Sequence, residues 1–311
     1  MLWKQRTWFQ LALQLRGSVV PAVLPRTLLY GLFATLLVLL NQNGRSFNLS
    51  SSASILLNLV LGLLLVFRTN TAYERFWEGR RLWGMMINTS RNLARHIWVN
   101  VLEKDPQDRM EKKSALDLIV AFAVATKNQL RQEPVNEELL PLLSSSRYQS
   151  LKLMNNPALE IALWLQDYLQ QQYHQQCLDS YQLASMNKLI NDLVDCLGGC
   201  ERILKTPIPM AYAIHLKQLL LVYCLILPFQ FVQDVGWLTV PIVVIISFTL
   251  FGIEEIGIEI ENPFGKDPND LQLDAFCETM KRNTDDLATL EPVSARKAIW
   301  NAPSTNLPWD H

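Results

Sequence analysis

Twenty-two residues without a charge, Ser46–Phe67, run with no turn signal into Arg68-Thr-Asn-Thr-Ala-Tyr-Glu-Arg-Phe-Trp-Glu-Gly-Arg-Arg-Leu-Trp83, sixteen residues crowded with Arg, Glu and Trp. A helix needs about 20 apolar residues to cross about 30 Å of hydrocarbon. The join therefore predicts one long helix that leaves a bilayer and continues into water. Such geometry suits channels and transporters better than soluble enzymes.

Charge is scarce elsewhere too. Charged residues make up 18% of the 311, against about 25% in ordinary soluble domains. They are missing from four windows: Thr27–Gly44, Ser46–Phe67, Gln218–Gln233 and Val235–Ile253. The rest reads as water-soluble helix, so the expected fold is all-α and polytopic, with four transmembrane helices and a large cytoplasmic helical domain. No β-type alternation persists anywhere.

The expected segments are an amphipathic, interfacial stretch over 1–25 and transmembrane helices 1 and 2 over 26–68. A cytoplasmic helical domain over 69–216 follows, then transmembrane helices 3 and 4 over 217–253. A second cytoplasmic helical part takes 254–290 and a tail 291–311. Basic residues set the orientation. The first 26 residues and the stretch after Phe67 are rich in Arg, whereas Asn41–Ser54 holds only Arg45. Both termini are therefore expected in the cytoplasm. Five cysteines, an odd number, point to reduced thiols in that compartment. No cleavable signal peptide is read at the N-terminus. A net charge of −1 gives nucleic-acid binding no electrostatic support.

Several positions invite a structural and a functional reading at once. Leu56, Val60 and Leu64 form an i, i+4, i+8 stripe; by periodicity alone such a stripe is core. Arg68, Glu74 and Glu78 read either as charges walling a vestibule or as a structural ion-pair network, and the second is favoured. Glu74 and Glu78 repel each other unless a cation lies near. Pro21 and Pro25 are expected to break the chain before the first span. Gly198 and Gly199 are expected to end a helix. Pro207 and Pro209 forbid regular helix around Ile208 and fix it on the outside of a bend.

Asp267, Asn269 and Asp270 have the spacing of oxygen ligands for Ca²⁺. Lys266 beside them opposes a divalent ion, so a helix cap ahead of Leu271 is the stronger reading and Asp267 and Asp270 are weak metal candidates. Cys196, Cys200, Cys177 and His174 lack zinc-site spacing. No nucleophile elbow, Walker loop or HExxH helix occurs, and no enzymatic activity is expected.

Three segments in register, Phe67–Arg80, Pro207–His215 and Ile260–Asp270, together with the pairs of hydrophobic spans around them, resemble the bestrophin family, in a prokaryotic or plastid-type form. The resemblance covers nearly all of residues 20–290. It implies a homopentameric ion channel with one central pore, a hydrophobic neck on the second span and a cytoplasmic constriction. Carried onto this chain, the neck falls on Leu56, Val60 and Leu64, and the constriction on Ile208 with Pro207 and Pro209 supporting it. Rings of such side chains gate by dewetting. The calcium clasp of animal members uses acids just after Asn-Pro-Phe-Gly; Lys266 takes the first of those positions here and argues against calcium, so no cofactor is expected.

The expected function is thus passive conduction of chloride and other small monovalent anions, in a plasma or thylakoid membrane, with lipid as the surrounding partner. A cation channel of the same fold is the first alternative. A non-conducting membrane scaffold is the second.

Overall fold

The computed structural model describes residues 8–43 and 52–290, and only the backbone of residues 11–12 and 52–56. The interfacial segment expected over 1–25 is thus described from Trp8 onward, and the tail 291–311 lies outside the described residues.

Among the described residues the chain forms ten α-helices and no strand. They are α1 (Trp8–Ala12), α2 (Val20–Gln42), α3 (Ser52–Asn100), α4 (Pro106–Leu130), α5 (Ser145–Leu151), α6 (Pro157–His174), α7 (Ser180–Lys205), α8 (Met210–Val235), α9 (Thr239–Glu261) and α10 (Leu273–Ala288). The described part of the uncharged run, from Ser52 onward, and the Arg-rich run belong to one 49-residue helix, α3. Two described stretches are long and apolar enough to span a bilayer: Val20–Gln42, and Met210–Glu261, which comprises α8 and α9 joined by a short 3-10 turn at Gly236–Leu238.

Two sequence expectations about helix ends change. Pro21 lies in the first turn of α2, where its missing N–H costs nothing, and Pro25 is carried inside the helix. Pro25 gives up one bond, to the Pro21 carbonyl, and α2 continues. Gly198 and Gly199 do not end a helix; α7 runs on to Lys205. A Cβ at Gly199 would lie 2.9 Å from the Leu82 side chain. Here glycine serves close packing rather than termination.

The chain divides into two compact units. The first takes Met1–Glu78 and Ile203–Leu271. Its core joins α2 (Val23, Tyr30, Ala34), α3 (Leu61, Leu65), α8 (Leu216, Leu220, Tyr223, Cys224, Leu227) and α9 (Val243, Phe251). Tyr30 stacks on Phe251 with ring centroids 5.5 Å apart. Gly31 lets α2 and α9 approach closely, since a Cβ there would lie 2.8 Å from Val244. Small residues perform this task between helices in lipid, where apolar burial alone drives no association.

The second unit takes Gly79–Arg202 and Gln272–His311. Helix α4 is its hub. Asp105 caps it in a box with Asp108, and Ala115–Ala125 is buried on nearly every side. Helices α6 and α10 pack on it. Lys127, 1% exposed, is held by Glu138 and Asp274, and Arg131 also pairs with Asp274 at 2.9 Å. All five cysteines are buried and none is in a disulfide.

Asp117 on α4 gives this unit a pH dependence. Burial pushes its carboxyl up to about 6; Asp285 adds to the rise, and Lys113 and Lys281 oppose it. A carboxyl raised in the folded state binds its proton more tightly there than in the unfolded chain. Its contribution is therefore most favourable below about pH 4 and is lost as pH climbs through about 6. Asp117→Asn removes that loss. We expect its thermal midpoint at pH 7.5 to rise by about 3 to 6 °C, with a flatter stability profile between about pH 4 and 6. Thermal unfolding of the detergent-solubilised protein across that range measures it.

Candidate functional site

The site is built around the bend that the two prolines impose. Helix α7 ends at Lys205 and α8 begins at Met210, with Pro209 as its N-cap residue. The carbonyl of Ile203 would normally accept from the residue four places on. That residue is Pro207, which has no N–H. Arg75 of α3 takes its place: Nη2 donates to the Ile203 carbonyl at 2.6 Å, and Nη1 donates to the Thr206 carbonyl. A cation at a helix C-terminus is also favoured by the helix dipole.

The amide of Ile208 lies between two residues without one, and Oε1 of Glu261 accepts its N–H at 3.0 Å. The other carboxylate oxygen of Glu261, Oε2, accepts from Nη2 of Arg68 at 3.3 Å. The main-chain carbonyl of Glu261 accepts from Nε of Arg75 at 3.1 Å. Finally, the hydroxyl of Tyr212 donates to the Leu64 carbonyl at 2.8 Å. The Thr206–Tyr212 segment is thus tied to α3 and to the end of α9. Ile208 itself is half-buried, and Pro207 and Pro209 are exposed.

Arg68 is 3% exposed and paired with Glu261, so it belongs to the structural network rather than to an open wall. Glu74 is exposed and Glu78 is half-buried.

Between Leu59 and Phe67 the free side of α3 is apolar. Leu59, Leu63 and Phe67, at i, i+4 and i+8, are 68%, 53% and 55% exposed, with Val60 and Val66 flanking them. The buried side runs through Leu61, Leu65, Arg68 and Ala72. Of the stripe read from the sequence, Val60 is exposed, and Leu64 is half-buried against the core of the unit. The side chain of Leu56 is outside the described residues.

The loop after Asn-Pro-Phe-Gly satisfies itself. Oδ2 of Asp270 accepts the N–H of Asp267 at 2.8 Å. The amide nitrogen of Asn269 donates to the Gly17 carbonyl at 3.2 Å and to Oε2 of Glu259 at 2.6 Å. One carboxylate oxygen of Asp270 is thus taken up by a backbone N–H of its own loop. Among the described residues no group of three or more His, Cys, Asp or Glu side chains could hold a metal ion. The expected cap is not made either: α10 begins at Leu273, and its N-cap residue, Gln272, makes no side-chain cap. Asp270 does bind a backbone N–H, but within its own loop, because two residues separate it from the helix.

Sequence reasoning missed Arg75, Tyr212 and Glu261. One signal was present: a proline pair leaves orphan carbonyls and one isolated N–H, which require a cation and an anion from elsewhere. Nothing local says which ones, since Arg75 and Glu261 lie 128 and 53 residues from their bonded positions in the bend.

Comparison with known proteins agrees with this architecture. A family model described as Bacterial/Fungal Bestrophin protein matches residues 1–286. The chain is 60% identical to a voltage-dependent anion channel-forming protein of Nostoc over 288 residues, 93% of this chain and 94% of that one. It is 32% identical to the voltage-dependent anion channel-forming protein YneE of Escherichia coli, covering 89% and 90% respectively. A crystal structure of a bacterial bestrophin homologue from Klebsiella pneumoniae superposes with a TM-score of 0.79 at 30% identity, over 87% of this chain and all of that one.

Proposed function

The chain belongs to the bestrophin family of bacterial and fungal membrane proteins, and from that premise we propose that it is a passive channel for small monovalent anions such as chloride. It is an integral membrane protein and not an enzyme. In our reading, five copies close around one axis, and α3 of each lines the pore. Segments 69–216 and 254–290 face the cytoplasm with both termini.

One observation carries this reading: the apolar free face of α3. Leu59, Leu63 and Phe67 are left uncovered although the opposite side of the helix is fully packed. A fivefold ring gives that face an axial position. We therefore centre the neck on Leu59, Leu63 and Phe67, with Val60 at its edge. Leu64 is turned toward the bundle core, so the neck lies one residue before the stripe read from periodicity. Ile208, on its proline-flanked bend, is the second constriction. Rings of this kind control conduction by the ease with which they wet.

Glu74 favours a second reading. It is exposed, and it is spaced seven residues from Phe67, about two helical turns along the same face. A ring of carboxylates there would favour cations. Reversal potential separates the two. In planar bilayers holding the purified protein under a KCl gradient, we expect the reversal potential to lie near that of chloride. A value near that of potassium would overturn anion conduction. Absence of current in every variant would support a scaffold. Native mass in mild detergent should equal five chains; a monomer would remove the pore.

A further inference from the structure

We infer that Glu261 is the positioning residue of the Ile208 constriction and transmits the state of α3 to it; this rests on the reading of Ile208 as part of the pore. Nothing in the position of Ile208 is fixed by regular secondary structure. Its neighbours on both sides are prolines, which fix their own φ but donate no hydrogen bond. The single N–H within Pro207-Ile208-Pro209 therefore decides how that peptide plane is held. Glu261 Oε1 accepts it at 3.0 Å. A bond to an ionised carboxylate is stronger and more directional than one between neutral groups.

The same carboxylate is also held from the opposite side. Oε2 accepts from Arg68, whose guanidinium is buried and whose other two nitrogens, Nε and Nη1, have no hydrogen-bond partner. Gly257, one turn before Glu261 on α9, lies beside that guanidinium; a Cβ there would sit 3.5 Å from Nε, an ordinary contact. Arg68 follows Phe67 directly, so it turns with the neck face of α3. A shift of α3 that moves Phe67 must also move Arg68. Through the two oxygens of one carboxylate, that motion reaches the backbone amide of Ile208. Glu261 thus forms a rigid two-bond link between neck and constriction, Arg68–Glu261–Ile208.

Arg75 does not duplicate this link. It binds the carbonyls of Ile203 and Thr206 and of Glu261 itself, on the α7 side of the bend. It anchors the end of α7 and leaves the Ile208 peptide to Glu261. The ion pair with Arg68 also offsets the charge of Glu261, so a carboxylate beside the constriction need not repel an anion.

The test is relative permeability, which a purely structural role would leave unchanged in surviving channels. Nitrate and propionate are compared with chloride by reversal potential in bilayers, for the wild type, Ile208→Ala, Glu261→Ala, Glu261→Gln and Ile208→Ala/Glu261→Ala. Ile208→Ala should raise the propionate to chloride ratio about threefold or more, because a smaller ring admits the larger ion. Glu261→Ala should shift it in the same direction. Glu261→Gln, which retains an acceptor for the Ile208 N–H but weakens the Arg68 bond, should fall between wild type and alanine. The double variant should equal Ile208→Ala. If Glu261→Ala fails to assemble, the near-isosteric Glu261→Gln and its combination with Ile208→Ala carry the same comparison. A shift with Ile208→Ala but none with either Glu261 variant overturns the positioning role and leaves Ile208 in the pore. Additive shifts also overturn it, since Glu261 would then act on ions directly. No shift with Ile208→Ala removes Ile208 from the pore and the inference with it.

Discussion

Lys127→Ala is expected to destabilise the unit containing α4 by about 2–4 kcal/mol, enough to lower the yield of assembled protein sharply. Two losses combine. Loss of the three methylenes beyond Cβ of a side chain that is 1% exposed leaves a void beside Val120, Val124 and Cys277. The ammonium group also ties α10 and the Glu137–Leu139 turn to α4, through Asp274 at 2.8 Å and through Glu138. Burial draws the proton affinity of this lysine down, and its hydrogen bonds to Asp274 and Glu138 more than restore it, so it stays charged. Both acids are partly open to water, which limits the cost of leaving them unpaired. Lys127→Met separates the contributions, because it retains the methylenes and removes the charge. Chemical or thermal unfolding in detergent should place it between wild type and alanine. A midpoint unchanged in Lys127→Ala would show that the network contributes nothing.

Acid should weaken the same corner late. Hydrogen bonds from Arg131 and then Lys127 hold the Asp274 carboxyl well below the usual carboxylate range, against a smaller opposing effect of burial. Its contribution is fully present above about pH 4 and is lost only as pH falls toward the depressed folded value. Asp117, on α4, runs the opposite way, so the packed pair α4 and α10 carries two carboxyls with opposed pH trends.

Leu63→Ala with Phe67→Ala should raise chloride current about tenfold, with the native mass unchanged. Apolar rings resist wetting because a narrow water column loses hydrogen bonds there. Removing the isopropyl and phenyl groups widens the passage and exposes more backbone. Both residues are more than half exposed in the subunit, so their truncation leaves little cavity. Leu64→Ala is the matched control. Leu64 packs on the core, and its loss should lower the thermal midpoint with current per channel unaltered. If Leu64→Ala raised current and the double variant did not, the pore face would turn by one residue toward the stripe first read from the sequence.

That one-residue difference shows what the sequence could not carry. The spans of α2, α8 and α9 were legible because four windows of 16 to 22 uncharged residues in one chain fit the length of a membrane crossing. The bend at Ile208 was legible because two prolines exclude helix locally. The facing of α3 was not, since a helix apolar all round has no polar side to orient it. Its rotation becomes visible only when Leu61, Leu65 and Arg68 are seen packed. Gly198 and Gly199 misled for a related reason: glycine marks both a helix end and a close helix approach, and Leu82, which chooses between them, is 117 positions away from Gly199. The buried Lys127 gave no signal, because its acids come from other elements. The sequence left Arg68 between a vestibule charge and a structural one, and gave no sign of its partner Glu261.

The five secluded thiols have a practical outcome. Cys177, Cys196, Cys200, Cys224 and Cys277 are each at most 6% exposed, so the native protein should be nearly silent toward bulky alkylating reagents. A single cysteine introduced at position 63 or 67 would then be the one reactive thiol of each subunit. Its labelling rate from either side would report, without any electrical recording, how deeply water reaches along α3.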